Sequence, residues 1–291
     1  MSNDDKYISW SQFRLWRSCP HKHWLIYKQD EPRDPPSKWT DFGSSIHETA
    51  EEWMGLIKEG VEPDWDPETR FVENFIKIAK TNHDEGVYNE FGRFKGNDVA
   101  EFGKAGKEII TELFVFLNEF FFSNGWKVFD VEMDLFEPLT DDPTLSDWKF
   151  KGFIDLVLTK GDEFYLMDYK TCSWGWGKDK LTDPLTMGQL HAYKHFFAKK
   201  MGITSLSKIK LGYILLKRTG KTGARVGMIK TSAGEKTLVK VVKELENMVK
   251  TVDRDIHKKT GAINGTCTDY GGCKFANTNL CDQVYKFGNK Q

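Results

Sequence analysis

Residues 151–171 constrain the fold of this chain more than any other stretch. Two short apolar runs, residues 153–158 and 164–169, are joined by the turn-like sequence Lys-Gly-Asp-Glu. This pattern predicts a β-hairpin. Each predicted strand is interrupted by one acid, Asp155 in the first and Asp168 in the second.

The two acids and a nearby lysine indicate a metal-dependent hydrolytic site. A carboxylate inside a buried strand costs free energy unless its charge is compensated, and a divalent cation shared by Asp155 and Asp168 would compensate both. Lys170 lies two residues after Asp168, so in a strand their side chains point to the same face. Such a group can hold Mg²⁺ or Mn²⁺, orient a water and stabilise the transition state of phosphodiester hydrolysis. The alternative is a surface hairpin with two solvated acids and a solvated lysine.

Length and composition are those of a globular protein of one domain with helical elaborations. The 291 residues are 39% hydrophobic and 29% charged. We expect a mainly helical part (1–125), a catalytic sheet core (126–235) and a C-terminal helix with a cysteine-rich tail (236–291). No run approaches the length of a transmembrane helix, so no membrane partner is expected. The start, Met-Ser-Asn-Asp-Asp-Lys, lacks the apolar segment of a signal peptide, which predicts a cytoplasmic protein.

The charge is distributed unevenly along the chain. Residues 1–150 contain 17 Lys and Arg against 30 Asp and Glu, whereas residues 151–291 contain 25 against 13. The basic half carries the predicted hairpin, as expected for a face that binds phosphates. Uneven surface charge with no nucleic-acid partner is the alternative.

Hydrophobic periodicity predicts the other elements. Residues 8–29 should form two helices that meet at Pro20, because proline interrupts a helix. Further helices are expected near residues 67–80, 98–122 and 237–259, and strands at residues 126–135, 208–216 and 225–230. In the first of these strands, Glu132 is a weak candidate for the site, because a row of acids on one strand face is more often solvated.

Two stretches after the hairpin are weak candidates for DNA binding. Trp174 and Trp176 could stack on the bases of a single strand, or pack against a neighbouring helix. A basic turn, residues 217–225, could grip phosphates by charge or be a solvated loop. Its cations are Lys217, Arg218, Lys221 and Arg225.

The cysteines favour metal ligation over disulfides. An odd number in a chain predicted to be cytoplasmic argues against a disulfide framework. The five are Cys19, Cys172, Cys267, Cys273 and Cys281, and three of them lie in the last 25 residues.

The hairpin resembles the core motif of the PD-(D/E)XK nuclease superfamily. The motif reads Gly152-Phe-Ile-Asp155 and, after twelve residues, Asp168-Tyr-Lys170. Two other segments resemble its RecB-type branch. Phe-Gly-Ser-Ser-Ile-His47 is similar to the helix that supplies a histidine ligand to the metal, and small residues at 43–45 would let that helix approach the sheet.

A second helix extends this resemblance. Gln189 and Tyr193 lie four residues apart on one helix face, as in the Gln-x-x-x-Tyr helix that lines the active site of RecB-type nucleases. The resemblance implies that Gln189 holds water or phosphate and that Tyr193 contacts the substrate backbone.

The cysteines resemble the iron–sulfur staple of AddB-type helicase–nucleases and CRISPR-associated adaptation exonucleases. In those proteins one N-terminal and three C-terminal cysteines hold a [4Fe–4S] cluster, and the matching residues are Cys19, Cys267, Cys273 and Cys281. The spacing here, Cys-x5-Cys-x7-Cys, departs from the usual Cys-x2-Cys-x5-Cys. A Zn²⁺ site or unliganded buried cysteines are therefore alternatives. Cys172 is expected to be a free thiol.

The resemblance, from about Ser9 to Cys281, implies a restriction-endonuclease-like α/β fold with a central mixed sheet flanked by helices. It implies metal-dependent DNA hydrolysis in which Asp155, Asp168, His47 and the Tyr169 carbonyl hold the metal and Lys170 positions the water. Relatives with the cluster act on DNA ends, which favours an exonuclease of recombination, repair or phage DNA metabolism.

Other functions compete with this one. A structure-specific endonuclease is the second choice, and a non-catalytic DNA-binding module of the same fold is another. A redox protein built on the cysteines would leave His47, the hairpin and the Gln-Tyr helix unexplained. The resemblance also raises a helicase or recombination partner and an oligomer as expectations, and a viral origin would place the protein in the host cytoplasm.

Overall fold

A computed structural model describes residues 6–90, 92–261, 267 and 272–282. The first residues, on which the leader prediction rests, and residues 268–271 of the predicted cysteine-rich tail lie outside this range. The helices are α1 (Trp10–Ser18), α2 (Pro20–Lys28), α3 (Lys38–Lys58), α4 (Pro67–Asp84), α5 (Asp98–Phe120), α6 (Lys178–Thr182), α7 (Pro184–Met201) and α8 (Glu235–Asp253). The strands are β1 (Lys6–Ser9), β2 (Lys127–Pro138), β3 (Trp148–Lys160), β4 (Glu163–Cys172), β5 (Ile209–Lys217) and β6 (Val226–Thr231). In this part of the chain, no helix combines the length and the apolar character needed to cross a membrane.

The chain divides into two compact units. The first takes its residues from Met1–Asp34, Phe136–Gly152 and Val239–Gln291, and the second consists of Pro35–Leu135 and Phe153–Leu238. Strands β2 and β3 and helix α8 each contribute residues to both units.

In the first unit, the break predicted at Pro20 is confirmed. Helix α1 ends at Ser18, and Cys19 is the N-cap of α2, where its sulfur accepts a hydrogen bond from Lys22 N. Pro20 occupies the first turn, where its missing N–H has no partner to lose. Ile8 lies in a strand and not in the helix, because β1 pairs in parallel with residues 148–151 of β3, and Ser9 is the N-cap of α1.

The second unit carries a mixed sheet. Strands β3 and β4 form the predicted antiparallel hairpin, β4 pairs in parallel with β5, and β5 pairs antiparallel with β6. Strand β2 pairs with β3. A parallel neighbour requires a crossover connection, and α6 and α7 supply it between β4 and β5.

Helices cover both faces of this sheet. Ile214 of β5 lies in a core with residues of α3, α4 and α5, whereas the adjacent Tyr213 donates a hydrogen bond to Thr186 O of α7. Successive strand residues point to opposite faces, so α7 lies on one face and α3–α5 on the other. The predicted α/β fold, a central mixed sheet flanked by helices, is confirmed.

Candidate active site

The β3–β4 hairpin brings the two predicted acids together. The Oδ2 atom of Asp155 accepts a hydrogen bond of 2.6 Å from Tyr169 N, the residue next to Asp168. The Asp168 side chain is 2% exposed and that of Asp155 is 12% exposed. Two carboxylates with this little access to water repel each other strongly, so the hairpin creates a demand for positive charge.

Lys170 meets part of that demand. Its Nζ lies 2.6 Å from Asp168 Oδ2, as predicted for two residues on one strand face. This contact is an ion pair, but the Nζ approaches the carboxylate at an angle that does not make a hydrogen bond. Asp168 Oδ2 is therefore buried with no hydrogen-bond partner among the described residues. A buried oxygen left in this state has a lone pair available for a cation.

Helix α3 brings His47 to the same place. Its Nδ1 lies 3.5 Å from Asp155 Oδ2, and its ring stands edge-on to Tyr169. The close approach of α3 to the sheet depends on a small residue, as predicted. A Cβ added to Gly43 would lie only 3.1 Å from Thr171 Oγ1 of β4. The predicted helix is therefore positioned to direct its histidine at the acids.

Glu132 of β2 completes this group. Ligand atoms of His47, Glu132 and Asp155 all lie within 4.8 Å of one another, a spacing that could hold one metal ion. The backbone of Glu132 has φ 47°, a left-handed conformation that non-glycine residues rarely adopt and that often marks functional sites. The sequence ranked this residue as a weak candidate, and the structure places it among the residues that could hold a metal ion.

Strict alternation does not hold along β2. It would put Val128 and Val131 on opposite faces, yet both pack against the core formed with α3–α5. The alternation is therefore interrupted between these two residues, and Glu132 follows directly with its left-handed backbone. The acids of this strand do not form one uniform solvated face, which is why the sequence pattern underrated Glu132.

The pKa values of these groups reflect their burial and the repulsion between the carboxylates. Burial and then repulsion from Asp168 raise the pKa of Asp155 well above its usual value. Burial raises the pKa of Glu132, and repulsion from the charges of Glu51 and Asp168 raises it further. Burial lowers the pKa of His47, which keeps its ring in the neutral form that binds metals.

Helix α7 supplies the predicted glutamine and tyrosine. Gln189 Nε2 donates a hydrogen bond of 3.0 Å to the Tyr193 hydroxyl, as expected for residues four apart. Tyr193 is buried, and both burial and the charge of Asp168 raise its pKa. The pair therefore borders the carboxylates and keeps the tyrosine protonated.

Comparison with known proteins agrees with this geometry. The sequence matches the PD-(D/E)XK nuclease superfamily over residues 7–281. The chain belongs to that superfamily. Membership implies a nuclease, a hydrolase that uses divalent metal ions.

A solved structure supports the fold. The crystal structure of a "putative exonuclease" from Eubacterium rectale superimposes on this PD-(D/E)XK chain with a TM-score of 0.52 and 12% sequence identity, over 88% of this chain and 84% of the other. None of the curated proteins compared with this sequence matches it.

The weaker DNA-binding candidates of this PD-(D/E)XK protein separate into exposed and packed side chains. Trp174 is 76% exposed, whereas Trp176 packs against Tyr213 at 4.9 Å between ring centroids. Lys221 is exposed and Lys217 half-buried in the basic turn. Arg218 lies over the Phe102 ring.

Arg225 has a different environment from the one expected of a solvated turn. It is buried and its Nε pairs with Glu108 at 2.6 Å, while its N–H donates to Glu112. Both acids belong to α5, so this arginine anchors the turn to the helix. Because its charge is paired with Glu108, Arg225 is a poor candidate for phosphate binding.

Within the first unit, the four cysteines of the predicted staple lie in one place. Burial raises the pKa of Cys267, and the charges of Cys273, Cys19 and Cys281 each raise it further. A Cβ added to Gly261 would lie 2.9 Å from Cys267 Sγ and 3.5 Å from Cys19 Sγ, so a glycine is needed there. None of the four forms a disulfide, and Cys172, in β4, lies in the second unit.

Proposed function

We propose that this protein is a metal-dependent deoxyribonuclease that removes nucleotides from DNA ends. The observation that carries the proposal is the convergence of His47, Glu132 and Asp155 within 4.8 Å of one another, beside the Asp168–Lys170 pair. Neutral imidazole and carboxylate oxygens suit Mg²⁺ or Mn²⁺, with the histidine favouring Mn²⁺ as the softer ion.

The residues present fit such an ion. Asp168 Oδ2 is buried and lacks a hydrogen-bond partner among the described residues, and burial together with repulsion from neighbouring carboxylates raises the pKa of Asp155 and of Glu132. His47, Asp155 and Asp168 would hold the metal, with the Tyr169 carbonyl and Glu132 as further ligands. When bound, the metal supplies charge stabilisation and a water of lowered pKa.

Side chains of the protein position the water and the substrate. Lys170 positions the attacking water and stabilises the negative charge that develops on the phosphate, and its ion pair with Asp168 keeps its ammonium beside the carboxylates. Gln189 orients water or a phosphate oxygen, while the Tyr193 hydroxyl contacts the DNA backbone. The hydrogen bond between these two side chains sets the position of both.

Action at DNA ends is supported by the likeness to a protein described as an exonuclease and by the cysteine staple. Exposed Trp174 could stack on an unpaired base near the site. A structure-specific endonuclease is the alternative, because the same site cleaves internal phosphodiesters if DNA can reach it without an end.

Degradation of labelled DNA tests the proposal. Linear and closed circular DNA, single- and double-stranded, would be incubated with Mn²⁺, Mg²⁺ or EDTA. We expect metal-dependent loss of linear DNA alone. Lys170→Met should lower the rate roughly 10²- to 10³-fold, the usual effect of removing one group that stabilises the transition state.

The matched control is Lys160→Met, an exposed lysine at the end of the same hairpin that donates to Asn124 O. It should degrade DNA at the wild-type rate. Cutting of circles would indicate an endonuclease. DNA binding without cleavage in any metal would contradict the enzymatic proposal and favour a binding module.

We further propose that Cys19, Cys267, Cys273 and Cys281 hold a [4Fe–4S] cluster, as in RecB-type relatives. A tetrahedral zinc site with Zn–S bonds of about 2.3 Å needs sulfurs about 3.8 Å apart. Among the described residues, no three cysteine sulfurs lie within 4.8 Å of one another. The wider spacing supports a larger group with four thiolate ligands.

A further inference from the structure

A second site in the second unit is suggested by a cavity of about 520 Å³ outside the catalytic group. It lies beside edge strand β6, between the end of α5 and one side of α7. Its size is within the range of pockets that bind small ligands. The described residues that line it include three lysines and no Asp or Glu, so the cavity is basic.

Lys194 is the distinctive residue of this cavity. It is only 5% exposed, and no hydrogen bond or ion pair joins it to another described residue. Burial lowers its pKa. Its Nζ is not among the fully buried polar atoms that lack a partner in the described residues, so the ammonium reaches the cavity. An anion bound there would offset the loss of hydration that lowers the pKa of this lysine.

The other polar groups of the cavity suit a phosphate. Lys230 of β6 is exposed, and the hydroxyls of Thr231 and Ser232 lie beside it. Lysines and hydroxyls are common phosphate ligands. Lys210 is not available in the same way, because it pairs with Glu163 at 2.9 Å.

The remaining wall is aromatic. Phe120 at the end of α5 is 58% exposed, and Trp126 and Tyr165 lie edge to face at 5.8 Å between centroids. Aromatic side chains of this kind stack on nucleobases whatever the base. A cationic wall and an aromatic wall on one cavity of this size match the two ends of a nucleotide.

We propose that this cavity binds a nucleotide that carries a terminal phosphate, with the phosphate on Lys194 and Lys230 and the base against Phe120 and Trp126. The ligand is either a free mononucleotide or the phosphorylated end of a DNA strand, since both present this chemistry. The site does not depend on the proposed catalytic metal, so its binding can be measured when the nuclease is inactive.

Equilibrium dialysis with labelled dAMP in EDTA tests the proposal. Wild-type protein should bind dAMP and should bind deoxyadenosine at least about tenfold more weakly, because one charge-assisted contact is worth about that much. Lys194→Met should weaken dAMP binding about tenfold or more and leave deoxyadenosine binding unchanged. Lys230→Met should weaken dAMP binding by a smaller factor, because its side chain is exposed.

The control variant is Lys236→Met, an exposed lysine of α8 that does not line the cavity, and it should bind as wild type does. Without ligand, Lys194→Met should melt at the same or a higher temperature, whereas loss of a merely structural lysine would lower the melting temperature. With dAMP, only proteins that retain Lys194 should show a rise in melting temperature.

Competition distinguishes the two sources of the ligand. Displacement of dAMP by a 5′-phosphorylated oligonucleotide, but not by the same oligonucleotide with a 5′-hydroxyl, supports a strand end. Displacement by neither supports a free nucleotide. Absence of dAMP binding at millimolar concentration, or equal binding by wild type and Lys194→Met, would overturn the proposal whatever the nuclease assay shows.

Discussion

At the scale of single residues, Glu132 is the proposed ligand whose removal is most informative. Glu132→Gln keeps the shape of the side chain but removes its charge and halves its capacity as a carboxylate ligand. Changes even to groups behind the ligands commonly weaken metal binding 10- to 100-fold, so we expect a loss of at least that size. Titration calorimetry with Mn²⁺ on DNA-free protein would measure it directly.

Asp134→Asn provides the control, because Asp134 is an exposed acid of the same strand and lies two residues away. Its Mn²⁺ affinity should match that of the wild type. Equal affinity in Glu132→Gln and wild type would show that the left-handed backbone at this position serves some purpose other than metal binding.

The residues of the site differ in how far the sequence could predict them. Asp155, Asp168 and Lys170 share one hairpin, so local alternation places them together. His47 and the α7 pair were recognised from a resemblance, because nothing local predicts which helix reaches a sheet. Glu132 was underrated because the alternation of β2 is interrupted just before it, between Val128 and Val131, and such an interruption reverses the face assignment that strict alternation gives.

At the scale of elements, helix α2 should make the stability of the protein sensitive to mild acid. His23 is 3% exposed, its Nε2 lacks a hydrogen-bond partner among the described residues, and burial lowers its pKa to about 4. Between pH 6.5 and 4 the unfolded chain binds a proton at this residue and the folded chain does not. The free energy of unfolding therefore falls as the pH falls through this range, by about 3 kcal/mol in total.

His23→Phe should remove this contribution, since the replacement cannot titrate and fits an apolar environment. Urea unfolding at pH 7 and pH 4.5 would show a smaller loss of stability in the variant than in wild type. His83→Gln changes an exposed histidine at the end of α4 and should retain the wild-type pH dependence. A loss in His23→Phe as large as that of wild type would rule out His23 as the source.

The elements themselves were predictable where one strong periodic pattern covers them. The hairpin, the helix break at Pro20 and the long helix α5 all lie close to their expected positions. Strand β1 was missed because four residues carry too little pattern, and its partner in β3 is distant in sequence. Helix α8 ends at Asp253, earlier than expected, because a charged and amphipathic pattern continues past the point where the helix stops.

At the scale of the whole molecule, the order of the chain does not follow its division into units. Each unit combines segments from both halves of the sequence. The acidic and basic halves of the sequence therefore do not correspond to two separate surfaces. The excess of lysine and arginine in the second half of the sequence thus does not by itself indicate a phosphate-binding face. The basic cavity around Lys194 is a more specific sign of anion binding, because its residues are brought together by α5, β5, β6 and α7.

The proposed cysteine staple would join the most distant parts of the sequence, because Cys19 lies close to Cys267, and the charges of Cys273 and Cys281 also act on Cys267. A cluster bound to all four would close a loop of nearly the whole chain, which could stabilise the fold by roughly 5 kcal/mol through the unfolded state. Anaerobically purified protein should therefore contain iron, absorb light broadly at about 400 nm and melt at a higher temperature than iron-free protein.

Two serine variants separate the staple from the fifth cysteine. Cys281→Ser should lose most of its iron and melt earlier, because three thiolates hold a cluster poorly and the chain loop reopens. Cys172→Ser should keep both its iron and its melting temperature, since Cys172 lies in β4 among the residues of the second unit. If protein made with ample iron and without oxygen contains stoichiometric zinc and no iron, the four cysteines form a zinc site and not an iron–sulfur cluster. Full iron content in Cys281→Ser would instead show that the fourth thiolate comes from another residue.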